Sequence, residues 1–239
     1  MAKLKKNGNF SGMLNNIVFV DSDDRSYVRT KPDRVKQSPH TKTAAATFGL
    51  VSTREKAFRL RLLRLLQLPA PQYFAARHRA RLQKTVTSGL GNTTSPTPAF
   101  ADPVFLTGFD FNPKMEWQRH TNFYAEFIQE ENQIRVSIPE IKWKQQIKPP
   151  KNCVSGVLAL YAFSTNLNLP SVELTELAAL EFTVSGNSPV PAQEWMVSTA
   201  GAADWLIIAG SLKFNTSDLD LPAKNQFSAT YLWAGKNPT

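Results

Sequence analysis

Ile134-Arg135-Val136-Ser137-Ile138 places an apolar residue at every second position, and Leu180-Glu181-Phe182-Thr183-Val184 repeats the pattern further along the chain. A period of two belongs to a strand with one face in a core and the other in water. Trp205-Leu206-Ile207-Ile208-Ala209 is apolar without interruption and predicts a central strand covered on both faces. Around these segments, similar runs at 104–111, 122–128, 133–138, 155–163, 178–185, 194–199, 204–214 and 226–234 are separated by Gly, Asn and Pro. Short strands at this spacing predict an antiparallel sandwich of immunoglobulin-like kind from about residue 100. A Cys…Trp…Cys signature is missing, so the likeness concerns architecture alone.

N-terminal to these runs the period changes. Phe48, Val51, Phe58, Leu62, Leu65 and Leu66 fall near one helical face between residues 41 and 68, with Arg54, Arg59, Arg61 and Arg64 off it. Pro69 and Pro71 end that helix. A second helix is expected from Gln72 to Thr85, carrying Tyr73, Phe74 and Leu82 with Arg77, Arg79 and Arg81. Ser88 to Pro98 is rich in Gly, Ser, Thr and Pro and reads as a linker. Before the helices, Ile17-Val18-Phe19-Val20 and Ser26-Tyr27-Val28-Arg29 flank a polar turn, which predicts a β-hairpin, and Lys31 to Pro39 reads as an extended basic connection. The expected layout is an α+β chain: a hairpin arm and linker over 1–40, a basic amphipathic helical segment over 41–87, a linker over 88–99, and the sandwich over 100–239.

Charge divides the chain the same way. Residues 1–84 carry 18 Lys/Arg against 5 Asp/Glu, a net of +13, and residues 85–239 carry 10 against 14, a net of −4. The basic third fits an anionic partner, or acidic groups on another copy of the chain. No apolar run is long enough to cross a bilayer, and the basic start lacks the apolar core of a secretory signal, so a soluble, cytoplasmic protein is expected.

Catalytic chemistry finds little support. His40, His78 and His120 lie among prolines or arginines, poor neighbours for a metal ligand or general base. Asp21-Ser22-Asp23-Asp24 has Ser26 and Pro32 where a calcium loop needs Gly and Glu. Ser88-Gly89-Leu90-Gly91 lacks the rest of a phosphate-binding loop, and the lone Cys153, in an apolar run, predicts a buried, inert thiol. No enzyme, metal, cofactor or small-molecule substrate is expected.

The glycine-containing segment Gly12-Met13-Leu14-Asn15-Asn16-Ile17-Val18-Phe19-Val20, then Tyr27-Val28-Arg29-Thr30-Lys31-Pro32, then a helix after Thr41-Lys42-Thr43, resembles a widespread uncharacterised family from Bacteroidetes. The ending Asn225-Gln226-Phe227-Ser228-Ala229-Thr230-Tyr231-Leu232-Trp233-Ala234-Gly235 is similar to that family's closing strand. The resemblance implies a shared layout and carries no catalytic residues.

A hairpin too small to fold alone suggests an arm that packs on the next copy. The expected function is therefore a non-enzymatic building block that forms a ring or filament by exchanging its arm, through Ile17, Phe19, Tyr27 and Val28. The alternative is a nucleic-acid binder without sequence preference. Its cations would be Lys3, Lys5, Lys6, Arg29, Lys31, Arg34, Lys36, Arg59, Arg61, Arg64, Arg77, Arg79 and Arg81.

Overall fold

A computed structural model describes residues 2–5, 8–22, 25–31, 37–87, 98–186, 189–216 and 226–238. In chain order the elements are β1 (Lys3–Leu4), β2 (Phe10–Leu14), β3 (Ile17–Ser22), β4 (Arg25–Thr30), α1 (Pro39–Leu65), α2 (Phe74–Gln83), β5 (Val86–Thr87) and β6 (Ala99–Phe100). A 3-10 turn (Pro103–Leu106) and α3 (Trp117–His120) precede β7 (Glu126–Gln129), β8 (Gln133–Ile138), β9 (Cys153–Thr165), β10 (Leu174–Ser185), β11 (Gln193–Ser198), β12 (Trp205–Thr216) and β13 (Phe227–Lys236). The chain divides into two compact units, residues 1–45 and 46–239.

The larger unit is built on an antiparallel sheet in the order β10-β9-β12-β13. Its central strands β9 and β12 are apolar on both faces. Leu158, Leu160, Ala162, Leu206, Ile208 and Leu212 enter a core shared with Ile134, Val136, Ile138 and Val197 of the three-stranded sheet β11-β8-β7. Phe163, Trp205, Ile207 and Ala209, alternating with them, enter a second core shared with Val51, Phe58, Leu62, Leu66, Phe74 and Leu82. One sheet thus has a sheet against one face and helices against the other, a layer more than a two-sheet sandwich.

Local sequence explains the helices. The Ser38 hydroxyl accepts from the Thr41 amide at 3.2 Å, and Pro39 occupies the first helical position, where no amide is needed. At the other end Gln67 takes a left-handed conformation (φ 50°), Leu68 N donates to Leu63 O at 3.0 Å, and Gln67 N to Arg64 O at 3.2 Å. This paired closure, followed by Pro69, stops α1.

The chain therefore divides elsewhere than the composition suggests. The helices share the sheet's core, and the compact unit begins at Ala46 rather than after the 88–99 segment, of which residues 88–97 lie outside the described residues. The arginines disguise this, because they occupy the sides of helices whose inner stripe is apolar. Phe48, expected in that stripe, is exposed, with the Arg79 guanidinium 4.9 Å above its ring. Segment 104–111 is not a strand at its start: the Asp102 carboxylate accepts from Val104 N at 3.0 Å and caps the 3-10 turn at Pro103. Past Gly108 (φ 76°) the chain runs beside β13, with Gly108 N donating to Tyr231 O and Phe111 N to Ala229 O, both at 2.8 Å. The expected strand at 122–128 is ordered as β7 only from Glu126. Cys153 is half-buried at the start of β9, and burial pushes its thiol pKa up.

The smaller unit contains an antiparallel meander, β1-β2-β3-β4, rather than a lone hairpin. Asn15 (φ 52°) makes the tight turn between β2 and β3.

Candidate functional site: an exposed apolar sheet face

Cross-strand partners in a sheet point to the same side, so register assigns the faces of the meander. Leu4 pairs with Phe10, Gly12 with Phe19, Leu14 with Ile17, and Phe19 with Val28. One face thus carries Leu4, Phe10, Leu14, Ile17, Phe19 and Val28 across all four strands. At one edge of it, Asn9 Nδ2 donates to Asp21 Oδ1 at 2.9 Å, Lys5 Nζ lies 2.9 Å from Asp21 Oδ2, and Ser26 bonds Asp21. The opposite face carries Lys3, Met13, Val18, Val20, Arg25, Tyr27 and Arg29.

Four strands with an apolar face should bury that face. Yet Leu4, Phe10, Leu14, Ile17 and Val28 remain 42–65% exposed, and no hydrophobic residue of 1–45 is buried among the described residues. Phe10 and Phe19 shelter each other, with ring centroids 5.5 Å apart. Of the residues that sequence pointed to, Ile17, Phe19 and Val28 share the apolar face, while Tyr27 lies on the other. Leu4, Phe10 and Leu14 escaped notice because asparagines and glycines interrupt their strands. Their signal was the alternation Phe10, Gly12, Leu14.

Several of the helical cations are taken up within the fold. Arg59 Nε bonds Glu55 Oε1 at 2.8 Å, Arg77 bonds the carbonyls of Asp110 and Phe111, and Arg81 Nη2 donates to Thr107 O at 2.8 Å. Arg54 bonds the Pro170 carbonyl. Burial pushes the Arg77 pKa down, partly offset by Asp110. With Arg79 over Phe48, four of the six helical arginines proposed for phosphate contact hold the fold together. Arg61 and Arg64 are exposed, as are Lys3, Arg29 and Lys31. Lys6, Arg34 and Lys36 lie outside the described residues.

Sequence reasoning missed a buried polar chain. Glu55 sits in the inner stripe of α1, four residues after Val51 and three before Phe58, and His78 sits between Phe74 and Leu82 on α2; both are buried. Glu55 Oε1 lies 3.2 Å from His78 Nδ1, and His78 Nε2 lies 2.8 Å from the Tyr231 hydroxyl. Burial lowers the His78 pKa, opposed by Glu55, and raises that of Tyr231 well above its ordinary value. A neutral imidazole satisfies every group: Nδ1–H donates to the Glu55 carboxylate and Nε2 accepts from Tyr231. The order carboxylate, imidazole, hydroxyl is that of a nucleophilic triad, but the phenol is fully buried against Phe111, 4.9 Å between ring centroids. The arrangement ties α1 and α2 to β13. Its signal in sequence was an ionisable residue at an apolar position of each helix.

Among the described residues, no group of three or more His, Cys, Asp or Glu could hold a metal ion, and no helix is long and apolar enough to cross a membrane. Comparison with protein-family models, curated proteins and solved structures finds no match.

Proposed function

We propose that this chain is a non-enzymatic, self-assembling structural protein whose N-terminal sheet docks on a second copy. The observation that carries the reading is the apolar face of the meander, exposed on every strand. Burying the exposed half of Leu4, Phe10, Leu14, Ile17 and Val28 contributes roughly 4–8 kcal/mol, which the sheet cannot gain from itself. A face that docks on a different surface of the next copy makes a head-to-tail contact, and such contacts propagate as rings or filaments. In this reading the larger unit is the body of the building block, its paired sheets immunoglobulin-like in layout with helices added.

A second reading keeps the chain as a polyanion binder, favoured by Lys3, Arg25 and Arg29 beside Tyr27 on the other face of the meander. The internal bonds of Arg59, Arg77 and Arg81 count against it.

Light-scattering mass and electron microscopy of nuclease-treated protein, at low and high salt, test the proposal. The full chain is expected to form discrete rings or filaments at both salts, and the chain lacking residues 1–37 to remain a monomer. A full-length monomer in all conditions refutes it. A monomer that gains mass only with added nucleic acid at low salt supports the second reading instead.

A further inference from the structure

Among the edge strands of the described sheets, β4 and β10 are two of the longer ones. β4 pairs only with β3, and β10 pairs only with β9. Among the described residues, no backbone hydrogen bond joins the outer edge of either to another segment. Edge strands are commonly protected by lysine, proline or short length. β10 runs twelve residues, Leu-Thr-Glu-Leu-Ala-Ala-Leu-Glu-Phe-Thr-Val-Ser, with no lysine or proline; its edge carries only the charges of Glu176 and Glu181 and a single bulge.

That bulge sets the chemistry of the edge. Glu176 and Glu181 are five residues apart and would alternate to opposite faces in a regular strand. The register shift between Glu176 and Ala178 absorbs one residue, so Glu176 pairs with Phe163 and Glu181 with Ala159, four positions apart on β9 and on one face. Ala179, paired with Tyr161, lies between them. The Tyr161 phenol feels the arrangement: its pKa is raised by burial first, then by Glu181 and Glu176. Both carboxylates and Ala179 are exposed.

β4 presents the complement. Arg25, Tyr27 and Arg29 lie on one face, with the two cations four residues apart. At the rise of an extended strand, both charged pairs are spaced about 13 Å. The patterns Arg-x-Tyr-x-Arg and Glu-x-x-Ala-x-Glu, bulge included, therefore match position for position, with the small Ala179 opposite Tyr27. On the reverse side, Val28 and the apolar face of the meander would continue the stripe of Leu177, Ala178, Leu180 and Phe182, which is half-buried against the inter-sheet core.

We infer that β4 of one copy adds to the free edge of β10 of a second copy, joining meander and central sheet into one continuous sheet with Arg25 and Arg29 set against Glu181 and Glu176. This rests on the self-assembly reading and names the receiving surface for it. Main-chain hydrogen bonds supply the attachment, and the paired charges fix the register. The charge pattern reads alike in both directions, so it sets the spacing of the contact whichever way the strands run.

Charge reversal in the full chain tests the inference. The double variants Arg25→Glu with Arg29→Glu, and Glu176→Arg with Glu181→Arg, are each expected to drop from the assembled mass to the monomer mass by light scattering. Mixing the two variants, which places opposite charges at every contact, is expected to restore assembly. Circular dichroism of each variant shows that the fold is kept, and slowed amide exchange in β4 and β10 of the assembled wild type reports the new strand pair directly. If both double variants assemble like the wild type, or if exchange in β10 is unchanged on assembly, the inference fails while arm-dependent assembly stands. If the full chain never assembles, both fail together.

Discussion

Removing residues 1–98, so that the chain starts just before Phe100, should prevent the sheets from folding. The helical stretch contributes Val51, Phe58, Leu62, Leu63, Leu66, Leu68, Phe74 and Leu82 to the core, all buried. At about 1.5–3 kcal/mol for each fully buried side chain, these eight contribute roughly 12–24 kcal/mol, against a net domain stability of about 5–15 kcal/mol. Their loss also exposes Phe163, Trp205, Ile207 and Tyr231 on the sheet face they cover. The buried polar chain is cut as well, leaving the Tyr231 hydroxyl without His78. A chain spanning residues 38–239 keeps the Ser38 cap and the whole core, and should fold. Far-UV circular dichroism, two-dimensional amide NMR and urea unfolding distinguish the two. The longer chain is expected to show dispersed resonances and a cooperative transition, the shorter one collapsed resonances or aggregation. A shorter chain that is monomeric, dispersed and cooperatively unfolded at a similar urea midpoint would refute the single-core reasoning and restore a boundary at 88–99.

The buried chain gives two further expectations. Tyr231→Phe removes the donor to His78 Nε2 in a site closed to water, and should cost about 1–3 kcal/mol with an unchanged urea m-value; a loss below about 0.5 kcal/mol would mean that the hydroxyl is not needed there. His78 is held neutral in the fold with its pKa lowered from 6.5, so the unfolded chain takes up the proton first. Its contribution is therefore fully present above about pH 6.5 and is lost as pH falls below it, at up to about 1.4 kcal/mol per pH unit. Urea titrations at several pH values should show a shallower slope for His78→Gln than for wild type in this range, and equal slopes would contradict a neutral buried imidazole.

Much of the larger unit is legible in sequence where a strand has unequal faces. Residues 133–138 are a strand where alternation and boundaries suggest one, the run expected at 194–199 is the strand 193–198, and β9, β10, β12 and β13 each extend a predicted run by a few residues. Legibility fails where local capping outweighs apolarity, as at Asp102-Pro103, where a carboxylate and a fixed φ wind an apolar run into a turn. It fails again where composition hides burial. The stretch from 54 to 84 reads as a separate basic segment because nine cations crowd it, yet the inner stripe of α1 and α2 supplies half of a core. Glu55 and His78 are invisible individually, since only a partner distant in sequence, Tyr231, makes a buried carboxylate and imidazole acceptable.

The arm is the converse case. Ile17 and Phe19 are evident as strand residues, but that they belong to one six-residue apolar face depends on the register of three strand pairs, which no single segment contains. A sheet with such a face and no buried hydrophobic residue among those described has little reason to hold its register alone, since four short strands must offset the ordering of some twenty residues at about 1–2 kcal/mol each. If the arm docks on a second copy as proposed, docking supplies the missing burial, and order in the arm and attachment to a neighbour become one equilibrium that shifts with protein concentration. On the proposed pairing, the charged edge of the arm would also select its partner by spacing, since the bulge in β10 sets Glu176 and Glu181 four register positions apart. In the proposed contact, main-chain hydrogen bonds make the attachment, and selection of the correct edge would come from Arg25 and Arg29.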